Sequence, residues 1–255
     1  MDNNHQWYWQ EWQGLPYLRC SLLQDWQHGF FTQQFSPQLP EELVQVLQPE
    51  AQVYRVKQVH GKRVLPTDEV VAGVEADGLW TQEALTAVWV CSADCTPALI
   101  ADRTTGKVAA VHAGWRGTAL KIIPETIYQL VQAGSKPEDL VIALGPAIAG
   151  EVYQVSTQVA AEVGASIVDN SATLSPLEVL TVLQDLPESP ILEDPHPGRV
   201  RLDVRLVNTL QMQQLGIKPH QIAIAPHCTY QQPEYFFSYR RQKLKKVQWS
   251  GIVSH

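Results

Sequence analysis

The chain has 255 residues, 45% of them hydrophobic and 18% charged, an ordinary globular composition that sets aside disorder, collagen and coiled coil. Its 19 Lys and Arg against 26 Asp and Glu leave a net charge of −7, which argues against a nucleic-acid binder, since that role needs a cationic face. Four cysteines at 20, 91, 95 and 228 form neither a CxxC pair nor a disulfide framework, so reduced thiols and a cytoplasmic location are expected.

The opening residues show no signal-peptide pattern, and no apolar run approaches the roughly eighteen residues of a membrane span, so no membrane role is expected. Trp7, Trp9, Trp12 and Trp26 lie among glutamines and read as strands and turns covering a core edge, with an aromatic ligand platform as the alternative. Residues 53–59 alternate apolar and polar, which predicts a half-buried strand ending at His60-Gly61. The apolar runs 85–91, 97–101 and 108–112 predict buried strands, with Thr105-Gly106 as a turn.

A helix is expected after Gly114-Trp115-Arg116-Gly117, with Leu120, Ile123, Ile127, Leu130 and Val131 on its apolar face. Pro124 predicts a kink or a late start there. A short strand at 140–144 precedes Gly145-Pro146, and 155–163 reads as helix. Four prolines make 185–198 a loop. Asp203 is placed to cap a helix carrying Leu206, Leu210 and Leu215, with Gly216 after its end. Residues 222–225 read as a late strand, and the basic run 240–246 as a solvated tail. This interleaving without a regular βαβ rhythm favours α+β with mixed sheets.

Three metal-capable side chains stand at strand ends or tight turns: His60, Cys95 and His112. Catalytic zinc sites draw three protein ligands from separated elements and leave a fourth position open. Each histidine alone also fits an ordinary hydrogen-bonded strand-end residue. Gly114 to Gly117 leads into a helix, so free N–H groups with Arg116 suggest an anion pocket beside His112, or an ordinary strand-to-helix turn. Asp94 beside Cys95 reads as a base, a ligand-orienting group or a turn-stabilising residue.

The segments Gln58-Val59-His60-Gly61, Ala76-Asp77-Gly78, Ala93-Asp94-Cys95-Thr96-Pro97, Val111-His112-Ala113-Gly114-Trp115-Arg116-Gly117, Gly145-Pro146 and Phe237-Ser238-Tyr239-Arg240-Arg241 occur in that order. This set, running from about His28 to Arg241, resembles the YfiH-type laccase-domain (polyphenol-oxidase-like) family. The resemblance implies a single domain over residues 1–255 with an α/β/β/α layered sandwich. It implies purine nucleoside phosphorylase activity with adenosine deaminase activity, on purine nucleosides and phosphate. It implies Zn(2+), with Cu(2+) as the alternative, on His60, Cys95 and His112. Cys95, His112, Asp94 and Arg116 are the catalytic candidates, and Arg240, Arg241, Asp77 and His28 the substrate-binding ones. A monomer or weak homo-oligomer is expected.

The chain departs from that pattern at Gln33, where many relatives carry arginine, at Ala147, where many carry cysteine, and in the tail Trp249-Ser250-Gly251-Ile252, which lacks a Thr-Gly-Arg. Arg116, Arg240 and Arg241 remain to meet an anion. Two other chemistries fit the same residues: a copper-dependent phenol oxidase, and a metal-free hydrolase with Cys95 as nucleophile and His112 as base, acting on a peptide or cell-wall precursor. A full multicopper laccase needs more histidine pairs than eight scattered histidines offer. A non-catalytic nucleotide sensor is the remaining alternative.

Overall fold

The structure is a computed structural model and describes residues 5–255. The tryptophan-rich opening forms a hairpin: β1 (Trp7–Trp12) pairs antiparallel with β2 (Leu15–Cys20). Its two turn residues, Gln13 and Gly14, both take positive φ (50° and 79°), the twist that suits tight hairpins. Next come β3 (His28–Phe31), α1 (Pro40–Leu47) and β4 (Gln52–Tyr54). β5 (Val64–Pro66), β6 (Gly78–Thr81), β7 (Thr86–Ser92), β8 (Thr96–Asp102) and β9 (Val108–Ala113) follow. β7, β8 and β9 are buried on both faces, which is why they read as continuous apolar runs.

The second half carries α2 (Trp115–Ala119), α3 (Ile122–Gln132), β10 (Leu140–Leu144), β11 (Gln154–Ser156) and α4 (Thr157–Gly164). It continues with α5 (Pro176–Gln184), β12 (Ile191–Glu193), β13 (Arg199–Leu202), α6 (Val204–Gln214), β14 (Ile222–Ile224), α7 (Tyr239–Gln242) and β15 (Gln248–Val253).

Two six-stranded mixed sheets form the body, ordered β1-β2-β3-β15-β7-β4 and β14-β10-β8-β9-β6-β5. Leu18, Phe30, Val88 and Val90 of the first sheet meet Leu79, Leu99, Ala110 and Val141 of the second in one central cluster. Helix α1 covers the outer face of the first sheet through Leu43, Val44 and Leu47, against Trp89 and Phe31. Helices α3 and α6 cover the second through Ile122, Ile123, Ile127, Leu130 and Met212. The layers therefore run α/β/β/α, as expected. A satellite cluster joins α4, α5, α6 and the small sheet β11-β13-β12.

Several local expectations need correction. The strand predicted over 53–59 stops at Tyr54, because β4 is an edge strand of the first sheet and the chain must cross to β5, an edge strand of the second. The helix after Gly117 is interrupted at Lys121, whose φ is +60°. The second helix therefore starts at Ile122 and places Pro124 in its first turn, where a missing N–H leaves no bond unmade. The helix expected over 155–163 begins at Thr157, capped by the Ser156 side chain bonding the Val159 N–H, while Val155 belongs to β11. The loop 185–198 includes β12, and Asp203 caps α6 through the Leu206 N–H. The buried face of α6 is Val204, Val207, Asn208, Gln211 and Met212, whereas Leu215 is exposed.

Candidate metal centre

His60, Cys95 and His112 are brought together from three elements. His60 lies within the crossing from β4 to β5 between the two sheets, Cys95 sits in the turn from β7 to β8, and His112 is near the end of β9. One ligand atom from each lies within 4.8 Å of the other two. A tetrahedral zinc site with ordinary bond lengths separates its donors by about 3.5 Å, so small side-chain shifts bring all three onto one ion. His112 is buried, Cys95 half-buried and His60 exposed, so the cluster opens to solvent on the His60 side. Gly114 permits this packing: a Cβ there would lie 2.8 Å from Cys95 Sγ and 3.5 Å from the His60 ring.

Asp77 organises both histidines. Its Oδ1 accepts from the His60 N–H at 2.9 Å and faces His112 Nδ1 at 2.9 Å. Its Oδ2 accepts from the N–H groups of Val59 at 3.1 Å and Gly61 at 2.7 Å. Three successive amides thus converge on one carboxylate, the arrangement of an anion nest. This holds His60 in the left-handed region at φ 61°, a conformation uncommon for a residue with a Cβ. It also fixes the proton of His112 on Nδ1 and turns Nε2 toward Cys95. A carboxylate behind a ligating imidazole is the usual outer support of a metal site.

The electrostatics suit a cation. Burial opposes the Cys95 thiolate, but the charge of His112 and hydrogen bonds from His112 and His60 outweigh it and push the thiol below its ordinary range. Burial likewise opposes the His112 imidazolium, yet the Cys95 charge and the Asp77 hydrogen bond push its pKa up. Two imidazoles and a thiolate match the donor preferences of zinc and copper.

Asp94 takes φ 91° in the Cys95 turn. Both its carboxylate oxygens are engaged: Oδ1 accepts from Thr229 Oγ1 at 2.8 Å and Oδ2 from the Arg240 N–H at 2.7 Å. It ties the cysteine turn to α7, which favours, of the roles read from sequence, the turn-stabilising one. Arg116 is exposed and stacks on Trp115 at 4.3 Å. The helix behind Gly114, α2, has only five residues, too few for the helix-terminus pocket expected from sequence.

Three substrate-binding candidates point elsewhere. His28 is fully buried; Nε2 accepts from the Cys20 N–H and Nδ1 donates to the Trp26 carbonyl. Asp77 is also fully buried and all its acceptors serve the fold. Arg241 spends its fork on the carbonyls of Thr229, Tyr230 and Phe236. Arg240 differs: among the described residues only its Nη1 is used, on the Gln154 carbonyl at 2.7 Å, while the guanidinium lies 4.7 Å above the Tyr153 ring. The solvated-tail reading of 240–246 therefore holds for the exposed lysines and fails for the two arginines, which are only partly exposed.

Tyr153 was not legible in the sequence. It is half-buried, and its phenol is pushed up to about 12, first by burial and then by the Cys95 and Asp94 charges, against Arg240 and Arg116. It lies under the Arg240 guanidinium, and the Arg240 backbone N–H is held by Asp94, the neighbour of Cys95. Its position after Gly150-Glu151-Val152 gave no motif signal.

The family model described as multi-copper polyphenol oxidoreductase laccase matches residues 40–252. The chain belongs to this YfiH-type laccase-domain family. A Synechocystis sp. protein named purine nucleoside phosphorylase is 49% identical to this laccase-domain chain over 257 residues, covering 98% of this chain and 97% of its own. Purine nucleoside phosphorylase YfiH of Shigella flexneri is 33% identical over 189 residues, covering 74% of this chain and 68% of its own. The crystal structure of YlmD from Geobacillus stearothermophilus superposes with a TM-score of 0.77 at 24% identity, covering 97% of this chain and 98% of that one, and shows the same fold. Among its described residues, this laccase-domain chain gathers one cluster of three metal-capable side chains. No helix of the described structure is long and apolar enough to cross a membrane.

Proposed function

We propose that the chain, as one YfiH-like laccase domain, is a metal-dependent purine nucleoside phosphorylase. It converts adenosine or inosine, with methylthioadenosine as a further candidate, and phosphate to the free base and ribose 1-phosphate; adenosine deamination is its second activity. The observation that carries this reading is the convergence of His60, Cys95 and His112 within 4.8 Å, with Asp77 behind His112 and His60. The relative named purine nucleoside phosphorylase, 49% identical over nearly the whole chain, supports the substrate class.

His60, Cys95 and His112 hold the ion, zinc in the first reading and copper as the alternative, since a thiolate with two imidazoles suits both. A divalent ion supplies fixed positive charge and Lewis acidity at the reacting centre. Asp77 keeps His112 oriented and His60 in place. Arg116 and Arg240 meet the negative charge of phosphate and of the transition state. Asp94 holds Arg240 beside the Cys95 turn.

Incubating metal-loaded protein with adenosine, with and without phosphate, tests this. Ribose 1-phosphate and adenine forming only with phosphate is the expected result, and their absence with both adenosine and inosine sinks the reading. Inosine and ammonia released without phosphate mark deamination. Oxygen uptake with a diphenol, beyond that of free copper, marks the oxidase alternative. Elemental analysis of the same sample, and of Cys95→Ala, should show near-stoichiometric metal that vanishes in the variant.

The Cys95–His112–Asp77 relay also favours a second reading, a thiol hydrolase in which His112 activates Cys95. Metal-free protein with Cys95 alkylated rapidly at neutral pH would select it.

A further inference from the structure

Two arginines near the cluster are built alike. Arg116 lies over Trp115 at 4.3 Å, and Arg240 lies over Tyr153 at 4.7 Å. Both aromatic rings pack on the same satellite core that joins α4, α5 and α6. One cluster therefore seats the rings under both guanidinium groups. A guanidinium laid flat on a ring keeps its in-plane N–H groups free for an oxyanion.

Arg240 is the better fixed of the two. Its backbone N–H is held by Asp94, next to Cys95, and its Nη1 by the Gln154 carbonyl. Among the described residues Nη2 and Nε have no hydrogen-bond partner, in contrast to Arg241, whose Nη1 and Nη2 both serve backbone carbonyls. Gln154 is held in turn by Asp194, which also receives Arg201 and His196. The Tyr153 hydroxyl has no hydrogen-bond partner among the described residues, and its ring lies under the guanidinium that Asp94 ties to the Cys95 turn.

We propose that Tyr153 is an anion-positioning residue: its hydroxyl, with the free edges of Arg240 and Arg116, receives an oxyanion beside the His60, Cys95 and His112 cluster. The naming of that oxyanion as phosphate rests on the phosphorolysis reading. A phenol donating to a charged oxygen adds a strong, short hydrogen bond. Tyrosine here also offers what Gln33 does not. Gln33 spends its side-chain amide on the Pro233 carbonyl at 2.5 Å, so the position where many relatives carry arginine holds no cation.

The test uses metal-loaded protein with inorganic phosphate as the probe, alone by calorimetry and then as co-substrate. Tyr153→Phe keeps the ring under Arg240 and removes only the hydroxyl, so the fold and the metal content should be unchanged. The phosphate Kd and the phosphate KM should both rise by about tenfold or more. The adenosine KM, and kcat at saturating phosphate, should stay within about twofold. Arg240→Lys should weaken phosphate at least as much, because an ammonium reproduces neither the stack nor the fork. Unchanged phosphate affinity in Tyr153→Phe overturns the proposal, as does a rise confined to the adenosine KM. A wild type that binds no phosphate overturns it too. A wild type that binds phosphate through Tyr153 but leaves nucleosides intact supports the anion site while the phosphorylase reading falls.

Discussion

Asp77 has four donors to satisfy, the amides of Val59, His60 and Gly61 and the His112 ring. Only a carboxylate accepts at both oxygens. In Asp77→Asn the amide NH2 must face at least one N–H donor, so either the His60 turn or the His112 orientation is lost. Metal binding should weaken by about 10- to 100-fold, read by competition with a chromophoric chelator. His28 makes a different residue-scale prediction. Burial pushes its pKa from the ordinary 6.5 down to about 3. The unfolded chain therefore takes up a proton near pH 6.5 that the folded chain refuses. The stability that neutral His28 contributes is complete above pH 6.5 and is lost as pH falls toward 3. The slope is about 1.4 kcal/mol per pH unit for one proton. Urea unfolding between pH 7 and 4 should show a shallower acid loss in His28→Gln, whose amide can still bond Cys20 and Trp26.

At the scale of elements, β15 matters most. This C-terminal strand lies inside the first sheet, antiparallel to both β3 and β7. Gly251 faces Trp89 across that pairing, and a Cβ there would lie 2.4 Å from the indole ring. Trp89 is fully buried among Phe31, Leu43 and Val44 and has no room to retreat. Gly251→Ala should therefore destabilise the protein by about 3 kcal/mol, the upper part of the usual overpacking range, measured as a lower urea midpoint at unchanged m-value. The same strand explains the tail sequence. Gly251 stands where the resemblance led one to expect a Thr-Gly-Arg, and its neighbours Ser250 and Ile252 are buried.

For the whole molecule, the cluster works as a clasp. His60 comes from the crossing between the sheets, Cys95 from the link out of the first sheet, and His112 from the second. An ion held by all three binds the folded chain and not the unfolded one. Chelator-stripped protein should melt lower than loaded protein, with zinc at a hundredfold excess over its Kd restoring about 2.7 kcal/mol. Differential scanning calorimetry should show no zinc-dependent shift in Cys95→Ala.

Much of this was written locally. Apolar runs without alternation marked β7, β8, β9 and β10, because strands buried on both faces need no polar side. Asp203 marked the start of α6 through its own short side chain. The ordered segments around His60, Cys95 and His112 carried the family resemblance, although their spacing alone left an ordinary structural role open. What depends on pairing between distant segments was invisible. Nothing in residues 53–59 says that β4 must leave the sheet after Tyr54, since that follows from which edges the chain has to join. Asp77 and His28 looked like ligand contacts until the fold supplied donors and acceptors to saturate them. Arg240 and Arg241, neighbours in one basic run, part company only when carbonyls from 229–236 surround the second and a tyrosine underlies the first. Local pattern records how each segment buries its own apolar face, whereas a site is made of hydrogen bonds and charges between segments, and those exist only once the sheets have closed.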